Sequence, residues 1–239
     1  MTESPALPQA RRAMVAAVLL MAIAAWAVVV RQATGDDQMA MSPAVFLGSW
    51  TTMMLAMMLP SALPVLLTFD RIQAGRRKQG GSGVPTWVFL VGYLVVWTAF
   101  GGVALGVREL LGAVGVSLHG QGAAGVLLVL AGVYQFSPLK HACLGKCRSP
   151  LGFVLGSWRD GRPGAVRMGL EHGISCLGCC WALFLVLFPL GLMNLAAMAA
   201  LTALVFAEKV LPAGPKLARA TGSGLVAWGL FTLARAGFV

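Results

Sequence analysis

Long apolar runs separated by short polar segments are the main pattern along the chain. Each run approaches the roughly 20 residues that a helix needs to cross the hydrocarbon core of a bilayer. The runs occupy residues 13–30, 44–69, 86–107, 121–136, 175–192, 194–211 and 222–239. The pattern predicts an all-α fold, a polytopic membrane helix bundle with about seven transmembrane helices. We expect residues 1–239 to form a single transmembrane domain.

Composition supports a membrane protein. The chain is 58% hydrophobic and only 11% charged, with a mean hydropathy of +0.81. A soluble globule of 239 residues would need more polar side chains to cover its surface. We therefore expect a multi-pass protein of the bacterial inner (plasma) membrane, surrounded by lipid. Nothing in the sequence fixes its oligomeric state.

The basic residues predict the orientation of the bundle. The formal net charge is +10, and of the 18 lysines and arginines only Arg31, Arg108 and Arg235 fall on one side of a seven-helix bundle. Loops rich in lysine and arginine stay in the cytoplasm. The N-terminus is therefore predicted to be cytoplasmic and the C-terminus to lie outside. Because the positive-inside rule already accounts for the basic residues, we expect no nucleic-acid partner.

Three of the five cysteines lie in one short stretch, GISCLGCC. On a helix, Cys176, Cys179 and Cys180 share an arc of about 100°, and His172 falls within the same arc. The predicted fifth transmembrane helix would carry these groups at its cytoplasmic mouth. Cysteine also occurs in membrane helices as a small buried apolar residue, which is the alternative interpretation.

The other two cysteines follow the fourth apolar run. Cys143 and Cys147 lie in SPLKHACLGKCRSP, with His141 beside them. On the predicted topology, all five cysteines are on the cytoplasmic side, where thiols stay reduced. Thiolates and imidazoles are soft ligands that suit Cu(I), with Zn(II) as the other candidate.

Methionines form a second candidate site. Met53 with Met57, and Met54 with Met58, are spaced four residues apart and would form a thioether ladder along the second helix. Thioethers favour Cu(I), although methionine also fills irregular gaps between helices. The segment 35–42 before this helix adds two aspartates and two methionines, either as a metal-collecting loop or as a solvated one.

Four segments resemble a known family. MMLAMMLPSALP, YQFSPLKHACLGKCRSP, GISCLGCCWALF and AEKVLPAGPKLARATG are similar to signature segments of a family of bacterial integral membrane proteins of unknown function, described as metal-binding. The resemblance runs from the second apolar run to the last. It implies membrane location and metal binding but no settled activity. It transfers to Met53, Met54, Met57, Met58, Pro60, Cys143, Cys147, Cys176, Cys179, Cys180, Glu208 and Lys209.

Glu208 and Lys209 are ionisable residues near the end of the sixth apolar run. Such residues inside a membrane are functional candidates by default. Glu208 is a candidate metal ligand or proton acceptor, or else the ion-pair partner of Lys140 or Arg167. Spacing places no second carboxylate for hydrolysis and no nucleophilic triad, so an enzymatic activity is not indicated.

Three functions fit these features. The first is transport or delivery of a soft metal ion, most readily Cu(I), between the methionines and the thiols, with a metal-donor or acceptor protein as partner. The second is thiol–disulfide exchange with redox partners. The third is a structural or assembly role in a membrane complex, with a zinc held by the cysteines.

Overall fold

The computed structural model describes residues 6–34, 42–115, 120–191 and 194–237, and every secondary-structure element in these ranges is a helix. The predicted all-α fold is therefore confirmed. The segment 35–41, with its aspartates and methionines, lies outside the described residues. In chain order the helices are α1 (Ala6–Thr34), α2 (Pro43–Lys78), α3 (Thr86–Ala113), α4 (Gln121–Tyr134), α5 (Pro138–Arg148), α6 (Pro150–Gly156), α7 (Gly161–Leu185), α8 (Leu187–Leu190), α9 (Leu195–Val210) and α10 (Gly214–Arg235).

Within the described ranges, four helices are long and apolar enough to cross a membrane. These are α1, α2, α3 and α7. Helices α4 and α5 would make a fifth crossing if they act as one span, although they meet at an angle of 63°. The prediction of seven crossing helices, and of the side on which each terminus lies, stays a prediction.

Helix α7 differs from its predicted counterpart. It begins at Gly161, well before the apolar run that starts at residue 175. The hydropathy pattern missed its first half because Arg162, Arg167 and Glu171 interrupt the apolar residues there. As a result, the three cysteines of GISCLGCC lie inside the helix and not at its mouth. All three are buried.

Helices α2, α3 and α7 form the centre of the bundle. Helices α2 and α3 are antiparallel, because Trp50 Nε1 donates to the carbonyl of Trp97 at 3.1 Å while Phe69 packs on Phe89. Helices α3 and α7 run in the same direction, with Gly169 against Phe89 and Trp97 against Phe184. This arrangement buries three aromatic side chains of α3, those of Phe89, Tyr93 and Trp97, against its neighbours.

The segment between α4 and α7, which falls between the fourth and fifth apolar runs, is largely helical. Helix α5 packs along α7, and α6 packs against α2. Helix α4 crosses α10 closely, since Gly125 meets Gly229 and Gly132 meets Gly222 at the crossing. Small residues permit such close helix contacts. Helix α5 therefore brings Cys143 and Cys147 alongside the cysteines of α7.

Candidate metal centre

Four cysteines from two helices converge where α5 packs against α7. The thiol of Cys147 lies next to the thiols of Cys176 and Cys179, and the thiol of Cys180 lies next to the same two. We call Cys147, Cys176, Cys179 and Cys180 the thiol cluster. All four are at most 7% exposed, and all are free thiols. The thiol cluster thus brings several sulfur atoms together on a face of α7 that would otherwise be apolar.

The fifth cysteine lies beside the cluster. The Cys143 sulfur packs over Gly178, where an added Cβ would approach it to 2.6 Å. The hydroxyl of Tyr134 donates to the carbonyl of Gly178 from the other side. Cys143 is half-buried, so it is the most accessible of the five thiols. Gly178 is the position that lets α5 approach α7 this closely.

The two candidate histidines are placed differently. His172 is buried one turn before Cys176 on α7, and its ring stacks on Tyr93 with the ring centroids 5.6 Å apart. Its Nδ1 has no hydrogen-bond partner among the described residues. His141, on α5, instead pairs its Nδ1 with the carbonyl of Ser137 at 2.9 Å. The structure therefore brings His172 to the thiol cluster, while His141 contacts its own helix.

Two polar groups from other helices contact the sulfur of Cys176. The Nζ of Lys209 donates to it at 2.9 Å, and the Tyr93 hydroxyl lies 3.1 Å away. Lys209 is only 6% exposed, so its ammonium is a buried charge that faces the thiols. Ammonium and phenol donors on one sulfur are the contacts that a thiolate accepts.

Lys209 also connects the thiol cluster to α2. Its Nζ donates to the Ser61 hydroxyl at 3.2 Å, and Ser61 lies one turn beyond Met57 and Met58. The four methionines, here called the methionine ladder, are at most 2% exposed and share one packed core with the thiol cluster. Members of the ladder are Met53, Met54, Met57 and Met58. Ser61 donates to the backbone carbonyl of Met58, so hydrogen bonds link the thiol cluster to the helix that carries the thioethers.

The position of Lys209 is fixed by its neighbour on α9. The Glu208 carboxylate accepts from Lys140 Nζ at 2.6 Å, and both side chains are at most 2% exposed. Arg148 donates to the backbone carbonyls of Glu208 and Leu211 at 2.7 and 2.6 Å, which caps the end of α9. Arg167, the other predicted partner of Glu208, pairs with Glu171 instead.

The thiols do not form a ready-made ligand set. Among the described residues, no group of three or more histidine, cysteine, aspartate or glutamate side chains is arranged to hold a metal ion. The thiols of Cys179 and Cys180 donate to the carbonyl of Cys176, at 3.1 and 2.9 Å. The Cys176 sulfur already accepts a hydrogen bond from Lys209. A bound ion would need these side chains to adopt other rotamers.

Comparison with known proteins gives one clear relationship. A model of the PpoB2 family, described as copper chaperones, matches residues 47–232, which is more than half of the chain. The chain belongs to this family. The match includes the methionine ladder, the thiol cluster and Lys209, and begins after α1. No curated protein and no solved structure is significantly similar to the chain.

Two residues of the candidate centre were not identified from the sequence. Tyr93 and Ser61 both contact the polar centre, through the Cys176 sulfur and the Lys209 ammonium. Each is a polar residue within a long apolar run, and such a residue is a candidate for a functional contact. Both tyrosines of the chain, Tyr93 and Tyr134, contact the cysteine segment of α7.

Proposed function

We propose that this protein is a membrane-embedded copper chaperone that binds Cu(I) at the thiol cluster and delivers it to an acceptor protein. The observation that carries the proposal is the contact of Cys147 with Cys176 and Cys179 of α7, in a chain that belongs to a copper chaperone family. Buried thiolates favour Cu(I) over hard cations. In this proposal copper is the cargo of the protein.

Membrane location is part of the proposal. It is supported by the four helices of sufficient length and apolarity and by large apolar side chains on the outside of the bundle. Leu20, Ile23 and Leu110, for example, are 65%, 64% and 63% exposed. Lipid chains can cover such side chains without cost, whereas water cannot.

The methionine ladder is proposed to hold copper before it reaches the thiols. Thioethers bind Cu(I) more weakly than thiolates do, so an ion that visits both would finish on the cysteines. Lys209 donates to the Cys176 sulfur and to the Ser61 hydroxyl. Ser61 in turn donates to the backbone carbonyl of Met58, so this polar pair lies between the thiol cluster and the helix that carries the ladder. The proposed order is therefore ladder first, cluster second.

Copper titration tests the thiol cluster. Detergent-purified protein should bind about one Cu(I) in competition with a chromophoric chelator, because buried thiolates are preferred ligands of this ion. Replacing Cys176, Cys179 and Cys180 together by alanine should abolish that binding. Ser175→Ala is the matched control, since Ser175 is buried on the same helix and its hydroxyl donates to the backbone carbonyl of Glu171 on that helix. Unchanged copper stoichiometry in the triple variant would contradict the proposal.

A second experiment tests the ladder. Replacing all four ladder methionines by leucine keeps their volume but removes the thioethers. We expect the final copper stoichiometry to stay the same while loading of the thiols, followed by the ultraviolet absorption of Cu(I) thiolate, becomes slower. Met168→Leu, a change of a fully buried methionine on α7, is the control. Equal loading rates in both variants would show that the thiols load Cu(I) without help from the ladder.

Thiol–disulfide exchange is the second candidate function. It is favoured by the contact between Cys147 and the α7 thiols, which brings together two sulfur atoms from different helices. A pair of thiols could pass two electrons and two protons to the disulfide of a partner. A protein that binds no Cu(I) but forms a reversible disulfide between Cys147 and α7 would support this function over copper delivery.

A further inference from the structure

The Lys209 ammonium is a buried cation placed where a metal-binding cluster would receive its ion. Its Nζ contacts the Cys176 sulfur at 2.9 Å and the Ser61 hydroxyl at 3.2 Å. The nearest acidic residue in sequence, Glu208, pairs with Lys140 instead. The charge of Lys209 is therefore directed at sulfur, and its position depends on three helices, α2, α7 and α9.

We propose that Lys209 sets the metal selectivity of the thiol cluster, so that it accepts monovalent Cu(I) and rejects Zn(II) and other divalent ions. The inference rests on the proposed function, because it assumes that the thiol cluster binds copper. It goes further by assigning selectivity to a side chain that is not itself a metal ligand.

Coordination number is the first reason. Zinc sites in proteins are almost always tetrahedral with four ligands, whereas Cu(I) is satisfied by fewer thiolates. The Cys176 sulfur already accepts Lys209 and lies beside the Tyr93 hydroxyl. With the ammonium on one side of the cluster, space for a fourth ligand around an ion is lost, while a smaller coordination shell remains accessible.

Charge is the second reason. An ammonium repels a divalent ion about twice as strongly as a monovalent ion held at the same point by the same ligands. The thiol cluster is buried, so water screens this repulsion poorly. Both effects disfavour the divalent ion more than Cu(I).

The surroundings hold the ammonium in place. Arg148 and Lys140, both on α5, bind the end of α9 through the backbone and the carboxylate of Glu208. Ser61 supplies the oxygen that holds Nζ from α2. The backbone of Lys209 is thus fixed on α9, so its ammonium stays near the thiol cluster even when the side chain changes rotamer to admit an ion.

Paired affinity measurements test the proposal. Dissociation constants for Cu(I) and Zn(II) would be measured by chelator competition on detergent-purified wild type, Lys209→Gln, Lys209→Arg and Lys216→Gln. Lys209→Gln should raise the ratio of Zn(II) affinity to Cu(I) affinity by about tenfold or more, because the cationic charge is lost. It should also bind Co(II) with the visible spectrum of a tetrahedral thiolate site. Lys209→Arg keeps the charge and Lys216→Gln removes an exposed one, so both should resemble wild type.

The outcomes separate the two proposals. Wild type that binds no Cu(I) would contradict the proposed function. Wild type that binds Cu(I), with an unchanged affinity ratio in Lys209→Gln, would overturn the selectivity role alone. If Lys209→Gln cannot be purified in folded form, Ser61→Ala decides, because it removes the oxygen that anchors the ammonium. A raised ratio in Ser61→Ala supports the proposal, and an unchanged ratio contradicts it.

Discussion

At the scale of single residues, a buried ion pair joins Lys140 to Glu208. Its 2.6 Å contact links α5 to α9, and neither side chain is more than 2% exposed. Desolvation makes such a pair a weak net source of stability, but removing one partner leaves an uncompensated buried charge. The pair therefore acts mainly by fixing the end of α9, and with it Lys209, against α5.

Breaking this ion pair should be costly. We expect Lys140→Leu to destabilise the protein by about 3–5 kcal/mol, because it leaves the Glu208 carboxylate buried without its cation. Thermal unfolding in detergent would measure the loss. The double variant Lys140→Leu, Glu208→Leu should recover much of it. Glu171→Gln, which breaks the exposed contact with Arg167, should cost less than about 1 kcal/mol. Equal costs for both single variants would show that the pair is not effectively buried.

The sequence identified the clustered cysteines better than their polar surroundings. Helical phase correctly placed Cys176, Cys179 and Cys180 on one face, because a helix repeats over short distances. The contact of Lys209 with Cys176, and that of Tyr93 with the same sulfur, join residues far apart in the chain. Such contacts depend on how helices pack, which hydropathy and spacing do not specify.

At the scale of secondary-structure elements, the close packing of α3 on α7 depends on glycines. A Cβ atom added at Gly169 would collide with the carbonyl of Phe89, and one added at Gly92 would collide with the carbonyl of Val166. The absence of side chains lets the two backbones approach closely. This close approach brings the Tyr93 hydroxyl to Cys176 and the Tyr93 ring onto His172.

Adding one methyl group at this helix contact should disturb the candidate centre. Gly169→Ala should force α3 and α7 apart, with a loss of stability of about 1–3 kcal/mol from overpacking and weaker Cu(I) binding. Gly102→Ala on α3 is the matched control, since nothing lies within 4 Å of its added Cβ. The control should be neutral or slightly stabilising, because alanine favours a helix. Thermal unfolding and copper titration of both variants provide the test, and equal behaviour would exclude a special role for the contact.

The connection between α4 and α7 shows where element prediction was limited. Helices α5 and α6 and the first half of α7 lie between the fourth and fifth apolar runs, where the hydropathy pattern predicted no helix. A search for apolar runs detects helices that could face lipid. It overlooks helices that are short or that carry many charges. Helix α5, with Lys140, Lys146 and Arg148, is of this kind. It nevertheless supplies Cys147 and the contacts that fix α9.

At the scale of the whole molecule, basic residues from separate parts of the chain gather at one end of the bundle. Arg76, near the end of α2, forms an ion pair with Asp160 just before α7 at 2.6 Å, and it stacks over Trp158. Arg159 and Arg167 both lie near Glu171. The sequence-based prediction, made from the seven apolar runs and the charge, also puts these segments on one side. If the bundle spans a membrane, the positive-inside rule puts this end in the cytoplasm.

Labelling of introduced cysteines tests this orientation. Ser82→Cys would place an exposed thiol next to the basic end of α2, and Ala113→Cys would place one at the opposite end of α3. In spheroplasts, a membrane-impermeant maleimide should label Ala113→Cys at once and Ser82→Cys only after lysis, because the positive-inside rule predicts that the basic end faces the cytoplasm. Wild type provides the baseline, since four of its five thiols are buried and Cys143 is half-buried. The reverse labelling order would indicate the opposite orientation. The proposed route from the methionine ladder to the thiol cluster would then run in the opposite direction across the membrane. Equal labelling of both variants before lysis would contradict a transmembrane arrangement of α3.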